Sequence, residues 1–181
     1  MPRYFAFLRA INVGGHTVTM ERLRALFEGF GFTGVETFIA SGNVIFTTPA
    51  RSAAALETKI AAGLQAALGY EVATFLRTDA ELQQIAAHPA FPPAQRQAAQ
   101  ALNIAFLARP LDAPAVRKLA GLTTAIDAFA AHGREIYWLC LKKQSESTFS
   151  NVVLEKTLGV KATLRGANTV AKLAAKYSAG A

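Results

Sequence analysis

Cysteine is almost absent from these 181 residues, and the single thiol, Cys140, excludes both a disulfide framework and a cysteine-ligated zinc or iron-sulfur centre. That usage points to a reducing cytoplasm. Charge is sparse at 17%, against 52% hydrophobic residues, a balance that excludes a disordered chain, collagen or a coiled coil and leaves enough apolar side chain for a globular core. Long uninterrupted apolar runs are also lacking. The opening run is broken by Arg9 before a signal-peptide core is complete, and no later uncharged run reaches bilayer length. The sequence therefore predicts a cytoplasmic protein with no export signal and no membrane span.

Catalytic signatures are equally scarce. His16, His88 and His132 stand far apart without an H-E-x-x-H or related spacing, so they read as surface or turn histidines, and no metal is predicted. There is no P-loop, and Ser41 in Ala40-Ser41-Gly42 lacks the first glycine of a nucleophile elbow. Gly29-Phe30-Gly31-Phe32-Thr33-Gly34 matches G-x-G-x-x-G in letters, but it closes a helix and precedes a strand, the reverse of a dinucleotide fingerprint. It reads as a helix stop. Cys140, inside Ile136-Tyr137-Trp138-Leu139-Cys140-Leu141, reads as an inert core thiol. No cofactor is expected.

What the sequence has in excess is positive charge: 19 Lys and Arg against 12 Asp and Glu, a net +7. Residues 1–78 carry +2 and residues 79–181 carry +5, with the surplus concentrated from Lys142 onward. Phosphate-bearing partners are compatible with this balance.

Apolar periodicity and turn residues give the order of elements. Arg3 to Ile11 reads as a strand ended by Asn12-Val13-Gly14-Gly15, and Met20, Leu23, Leu26, Phe27 and Phe30 as a helical stripe capped by Thr19. Val35 to Ala40 and Asn43 to Thr48 form a hairpin through Ser41-Gly42. Leu56, Ile60, Leu64 and Leu68 mark a second helix stopped at Gly69, and Glu71 to Arg77 a last strand. Thr78-Asp79-Ala80-Glu81 is a capping box opening a connector that His88-Pro89 and Pro92-Pro93 stop.

The order then returns. Leu102 to Ala108 is a strand, and Ala113 to Leu122 a helix opened by Asp112 and Pro114. Ile126 to Ala131 and Glu135 to Leu141 form a hairpin. Ser150 to Leu158 is a helix, Lys161 to Arg165 a strand, and Thr169 to Tyr177 a final helix. The expected fold is α+β, two ferredoxin-like β-α-β-β-α-β halves with antiparallel sheets and a C-terminal helix, organised as 1–78, a helical connector 79–100, and 101–181.

In that topology the loop after the first strand and the first hairpin emerge at one sheet end, so Arg9, Asn12, Gly14 and Gly15 meet Ser41, Gly42 and Asn43 as a candidate anion site, with Glu21 opposing it. A second candidate joins Ser147, Ser150 and Asn151 at a helix start to Arg165, Asn168 and Thr169 leaving a strand.

These residues carry a resemblance. Leu8-Arg9-Ala10-Ile11-Asn12-Val13-Gly14-Gly15, Ser41-Gly42-Asn43-Val44, Ser150-Asn151 with Leu154-Glu155-Lys156, Leu158-Gly159-Val160 and Asn168-Thr169-Val170 together resemble the bacterial domain-of-unknown-function 1697 family. The resemblance spans nearly the whole chain and implies paired ferredoxin-like halves and no known activity. It carries Asn12, Gly14, Gly15, Ser41, Gly42, Asn43, Ser150, Asn151, Arg165, Asn168 and Thr169 over as candidate positions. Ala10 stands where the family's pattern has glycine, Thr148 where it has lysine, and Gly166-Ala167 where it has asparagine and tryptophan.

The favoured functional reading is a binding protein for an anionic, phosphorylated small molecule. The alternatives are an enzyme on a phosphorylated or nucleotide-like substrate, with Arg9 or Arg165 steadying charge, and a structural or interaction module. Neither central strand carries the RNA-recognition signature, and apolar residues fall on both sheet faces, as expected if the face without helices is covered by the other half or a partner. Only weak, sequence-independent nucleic-acid binding through Lys142, Lys143, Lys161, Lys172 and Lys176 is expected. No feature assigns an oligomeric state.

Overall fold

The computed structural model describes residues 1–178 except Val13, Ala40 and Ser41, and all of Ser178 but its side chain. The chain divides into two compact units, Met1–Gln83 with Tyr177 and Ser178, and Gln84–Lys176. The first holds β1 (Arg3–Leu8), α1 (Met20–Gly29), β2 (Thr33–Thr37), β3 (Asn43–Thr47), α2 (Ala53–Leu68) and β4 (Thr74–Thr78), after which α3 (Asp79–Ala87) leads onward. The second holds α4 (Pro93–Ala98), β5 (Ala101–Leu107), α5 (Ala113–Ala120), β6 (Asp127–His132), β7 (Glu135–Cys140), α6 (Asn151–Leu158), β8 (Ala162–Gly166) and most of α7 (Ala167–Ser178). The sheets run β2-β3-β1-β4 and β6-β7-β5-β8, with every neighbouring pair antiparallel. The β-α-β-β-α-β order expected of each half is thus observed.

Local chemistry explains where the elements begin and end. Thr19, Ser52, Asp112 and Ser150 accept backbone N–H bonds from Arg22, Ala55, Ala115 and Val153, closing the first turns of α1, α2, α5 and α6. Thr78 and Glu81 bond reciprocally in the expected capping box. Gly69 and Gly159, at φ 84° and 67°, end α2 and α6 in the left-handed conformation. Four expectations need correction. The second strand runs Thr33–Thr37 and not Val35 to Ala40. The first strand stops at Leu8 and not Ile11, because Ala10 turns the chain at φ 55°. The fourth begins at Thr74 and not Glu71. Pro92-Pro93, expected only to stop the connector, also opens α4, since proline fits a first helical turn that needs no N–H from it.

Period-2 alternation then distributes the strands. Tyr4, Ala6, Leu8, Val44, Phe46 and Leu76 pack against Leu23 and Phe27 of α1 and Ile60 and Leu64 of α2. In the second unit Ala105, Ile136, Trp138 and Ala162 pack against Leu119 of α5 and Leu154 of α6. The alternate residues Phe5, Phe7, Ile45, Ile104, Phe106 and Tyr137 are buried as well. Both faces of each sheet therefore carry buried apolar residues, with the buried Arg77 and Arg165 set among those of the faces away from the helices.

The halves repeat in letters as well as in pattern. Ser52, Leu56 and Glu57 stand in α2 as Ser150, Leu154 and Glu155 stand in α6, each with a serine cap, a buried leucine and a glutamate one residue on. Each glutamate accepts a backbone N–H from the sheet's outer strand: Glu57 from Leu76 at 3.3 Å, Glu155 from Ala162 at 2.8 Å. Asn151 adds a 2.9 Å bond from its Nδ2 to the Ala162 carbonyl. Leu76-Arg77 and Leu164-Arg165 stand just before the last residues of β4 and β8, and each buried arginine donates from Nη1 to the preceding carbonyl at 2.8 Å. Glu155→Ala leaves the Ala162 amide without its charged acceptor. It is expected to cost about 1.5–3 kcal/mol in denaturant unfolding and to speed exchange of that amide, read by NMR hydrogen exchange.

Candidate functional site

In the first unit the loop from β1 to α1 folds back on itself. Asn12 accepts the Val18 N–H on Oδ1 at 2.7 Å, the exposed Gly14 and Gly15 turn the chain at φ 63° and 83°, and the Arg9 N–H donates to Ala73 O at 2.9 Å. Tyr70 pins the loop from the side of α2: its hydroxyl donates to Ile11 O at 2.7 Å, and its ring stacks on His16 at 3.8 Å between centroids. The hairpin from β2 to β3 packs onto the same loop. Gly42 O accepts the Leu8 N–H, and a Cβ at Gly42 would lie 2.8 Å from Ile11 Cγ2, so both its φ of 78° and its contacts require glycine. Asn43, 2% exposed, donates to Phe38 O at 2.9 Å.

Asn12, Gly42 and Asn43 are thereby brought to one crevice, but its volume is about 10 Å³, the room of a single water. Their amide groups hold backbone. Ser41 lies outside the described residues.

The second cluster is spread over both sides of a sheet. Ser150 caps α6 and Asn151 is bonded to β8, on the side of Leu154 and Ala162. Arg165, one residue beyond Leu164 in β8, projects from the opposite face, because successive strand residues alternate. It is 7% exposed, donates to Thr163 Oγ1 and Leu164 O at 2.8 Å each, and has its pKa drawn down by burial to about 10. Asn168 and Thr169 sit in the first turn of α7, one exposed and one half-buried.

Ser147 faces a carboxylate. Its hydroxyl donates to Asp127 Oδ1 at 2.8 Å, where Trp138 Nε1 also donates at 2.9 Å, while Thr124 Oγ1 donates to Oδ2 at 2.8 Å. Burial alone would raise the pKa of Asp127, but the bonds from Trp138, Thr124 and Ser147 outweigh it and hold the carboxyl below its ordinary value. That fixed negative charge opposes an anion at Ser147. Sequence reading missed Asp127, since nothing in its local spacing announces a buried acceptor for a tryptophan.

Sequence reading also missed a concavity of the second unit. Between the loop from β5 to α5, residues 108–112, and the turn from α6 to β8 lies a cleft of about 490 Å³. Leu111, Ala115, Leu158 and Val160 line it, and the exposed Arg109 and Lys161 flank it. Asp112 reaches the same cleft, with its Oδ1 engaged by the Ala115 N–H at 2.8 Å. Pro114 gives α5 no N–H at that position, so the two cations, more than the helix end, make the cleft attractive to an anion.

The family model described as a protein of unknown function (DUF1697) matches residues 1–137. The chain belongs to this family. The structure of a conserved bacterial protein from Streptococcus pneumoniae is similar to it, with a TM-score of 0.71 over 96% of this chain and 97% of the other at 24% identity, a likeness of fold. No curated protein sequence matches it.

Among the described residues of this DUF1697 chain, no group of three or more His, Cys, Asp or Glu side chains is placed to hold a metal ion, and no helix is long and apolar enough to cross a membrane. Cys140 is buried, and that burial pushes its thiol pKa up. Two of the histidines do meet. His88, after α3, and His132, at the end of β6, stack at 3.9 Å and 15°, with Tyr137 at 5.2 Å from His88 and Glu135 paired to His132 across the hairpin.

Desolvation, then the charge of His132, lowers the pKa of His88 below 6.5. A lowered folded-state pKa means that the unfolded chain takes up the proton first. The contribution of His88 is therefore intact above about pH 6.5–7 and lost as the pH falls below the unfolded value. Denaturant unfolding between about pH 5 and 8 is expected to show this loss, and His88→Asn is expected to remove it while His132→Asn only lessens it.

Proposed function

We propose that this protein binds an anionic, phosphorylated small molecule in the cleft of the second unit. The observation that carries the reading is the combination found there: about 490 Å³ of space, within the range of small-molecule sites, the apolar Leu111, Leu158 and Val160, and two cations, Arg109 and Lys161, against the one carboxylate of Asp112, whose Oδ1 is already engaged by the Ala115 N–H. The two loop clusters support it less. In one the amides hold backbone around a crevice the size of a water, and in the other Asp127 stands against Ser147 and the sheet separates Arg165 from Asn151.

Titration of the isotope-labelled protein with inorganic phosphate and pyrophosphate tests this by NMR. The expected result is saturable shifts at residues 109–112 and 159–161, affinity that falls with added salt, and weakening of about tenfold or more in an Arg109→Ala, Lys161→Ala double variant. Shifts confined to residues 12–15 and 42–43, or binding unchanged in the double variant, would place the anion elsewhere and defeat the reading.

A further inference from the structure

The two halves are built alike, and the corner that forms the cleft in the second unit has a counterpart in the first. Both corners lie between the loop leaving the first strand and the turn leaving the second helix. In both, that helix ends on a left-handed glycine, Gly69 or Gly159. The next residue differs: Tyr70 in the first unit, Val160 in the second. The one after it changes sign, from Glu71 to Lys161.

In the first unit the corner is occupied by the chain itself. The Tyr70 ring lies there, stacked on His16 at 3.8 Å and 21°, with its hydroxyl bonded to Ile11 O. His16 and Ile11 come from the long connection of residues 9–19. In the second unit the connection shortens to residues 108–112, Val160 is half-buried, and the corner is an open cleft.

From this comparison we infer that the cleft takes a planar aromatic ring bearing the anionic group, the ring lying where the first unit lodges Tyr70 and the anion meeting Lys161 and Arg109. The inference rests on the anion-binding reading above and adds the class of ligand. A flat ring suits the aliphatic walls: Leu111, Leu158 and Val160 offer apolar surface, and a half-buried ring is the group this fold already lodges at the equivalent place. An anion attached to such a ring gains from the walls and the cations together, whereas a free anion gains from the cations alone.

Calorimetric titration with phenyl phosphate, methyl phosphate and inorganic phosphate tests it. Phenyl phosphate is expected to bind at least about tenfold more tightly than the other two, from burial of its ring. The double variant Val160→Tyr, Lys161→Glu copies the Tyr70-Glu71 pair into the second unit and is expected to abolish that binding while the unfolding curve stays cooperative. Lys161→Gln, at an exposed position, serves if the double variant fails to fold, and is expected to weaken all three ligands alike.

Phenyl phosphate binding no more tightly than methyl phosphate, with both weakened by Lys161→Gln, would overturn the aromatic class and leave the anion site standing. Phenyl phosphate binding unchanged in a folded Val160→Tyr, Lys161→Glu variant would overturn the placement. No binding of any of the three would overturn both readings.

Discussion

An outer strand of a sheet exposes a row of backbone groups without partners, and each half of this protein answers that constraint with a carboxylate carried on a helix. Glu57 reaches the Leu76 amide and Glu155 the Ala162 amide, each from a helix that a serine has capped and a buried leucine has seated against the sheet. A hydrogen bond to an ionised acceptor is worth more than a neutral one, and its geometry is restrictive. It fixes where α2 and α6 lie along β4 and β8, and so where the turn between helix and strand emerges. A corner lies beside that turn in each unit.

What fills the corner is then free to differ, because the strands and helices around it are already held. The first unit lengthens its β1–α1 connection, turns it with Gly14 and Gly15, and closes the space with Tyr70 and His16. The second unit keeps the connection short, caps α5 with Asp112, and leaves the space open. The same division separates the residues that resemble the family's opening motif from the cleft. Asn12, Gly42 and Asn43 are required where they stand because a long loop must be tied to a hairpin, a demand the second unit does not make.

The features legible in the sequence are those with local causes. Thr19, Asp112, Ser150, the Thr78-Glu81 box and the glycines after α2 and α6 act within one turn of chain, and each element they bound was expected. The G-x-G-x-x-G stretch likewise behaves as a helix stop running into a strand, with Gly31 and Gly34 at positive φ. Illegible were the features decided by which face a residue takes after folding. Arg165 looks like a surface cation, yet one residue of strand register turns it away from α6 and buries it. His88 and His132 look solitary because the contact that stacks them depends on where a connector lands on a hairpin. The first strand's early end follows from Ala10 adopting a conformation usually left to glycine, against its own preference.

The charge of the chain is subject to the same geometry. The carboxy-terminal surplus of lysine and arginine looks continuous in sequence, but β7 and β8 both run antiparallel to β5 and hence parallel to each other. Lys142 and Lys143, which follow β7, therefore stand at the opposite end of the sheet from Lys161, which precedes β8. Arg165 is removed from the surface altogether, as Arg77 is in the first unit. A polyanion running along one groove needs its cations in a row, each releasing counterions from successive phosphates. Cations placed at separate ends of a sheet act locally, as Arg109 and Lys161 do where they share the cleft of the second unit. The positive charge is thus divided among separate corners, and the +7 of the whole chain describes the sequence better than it describes any single surface.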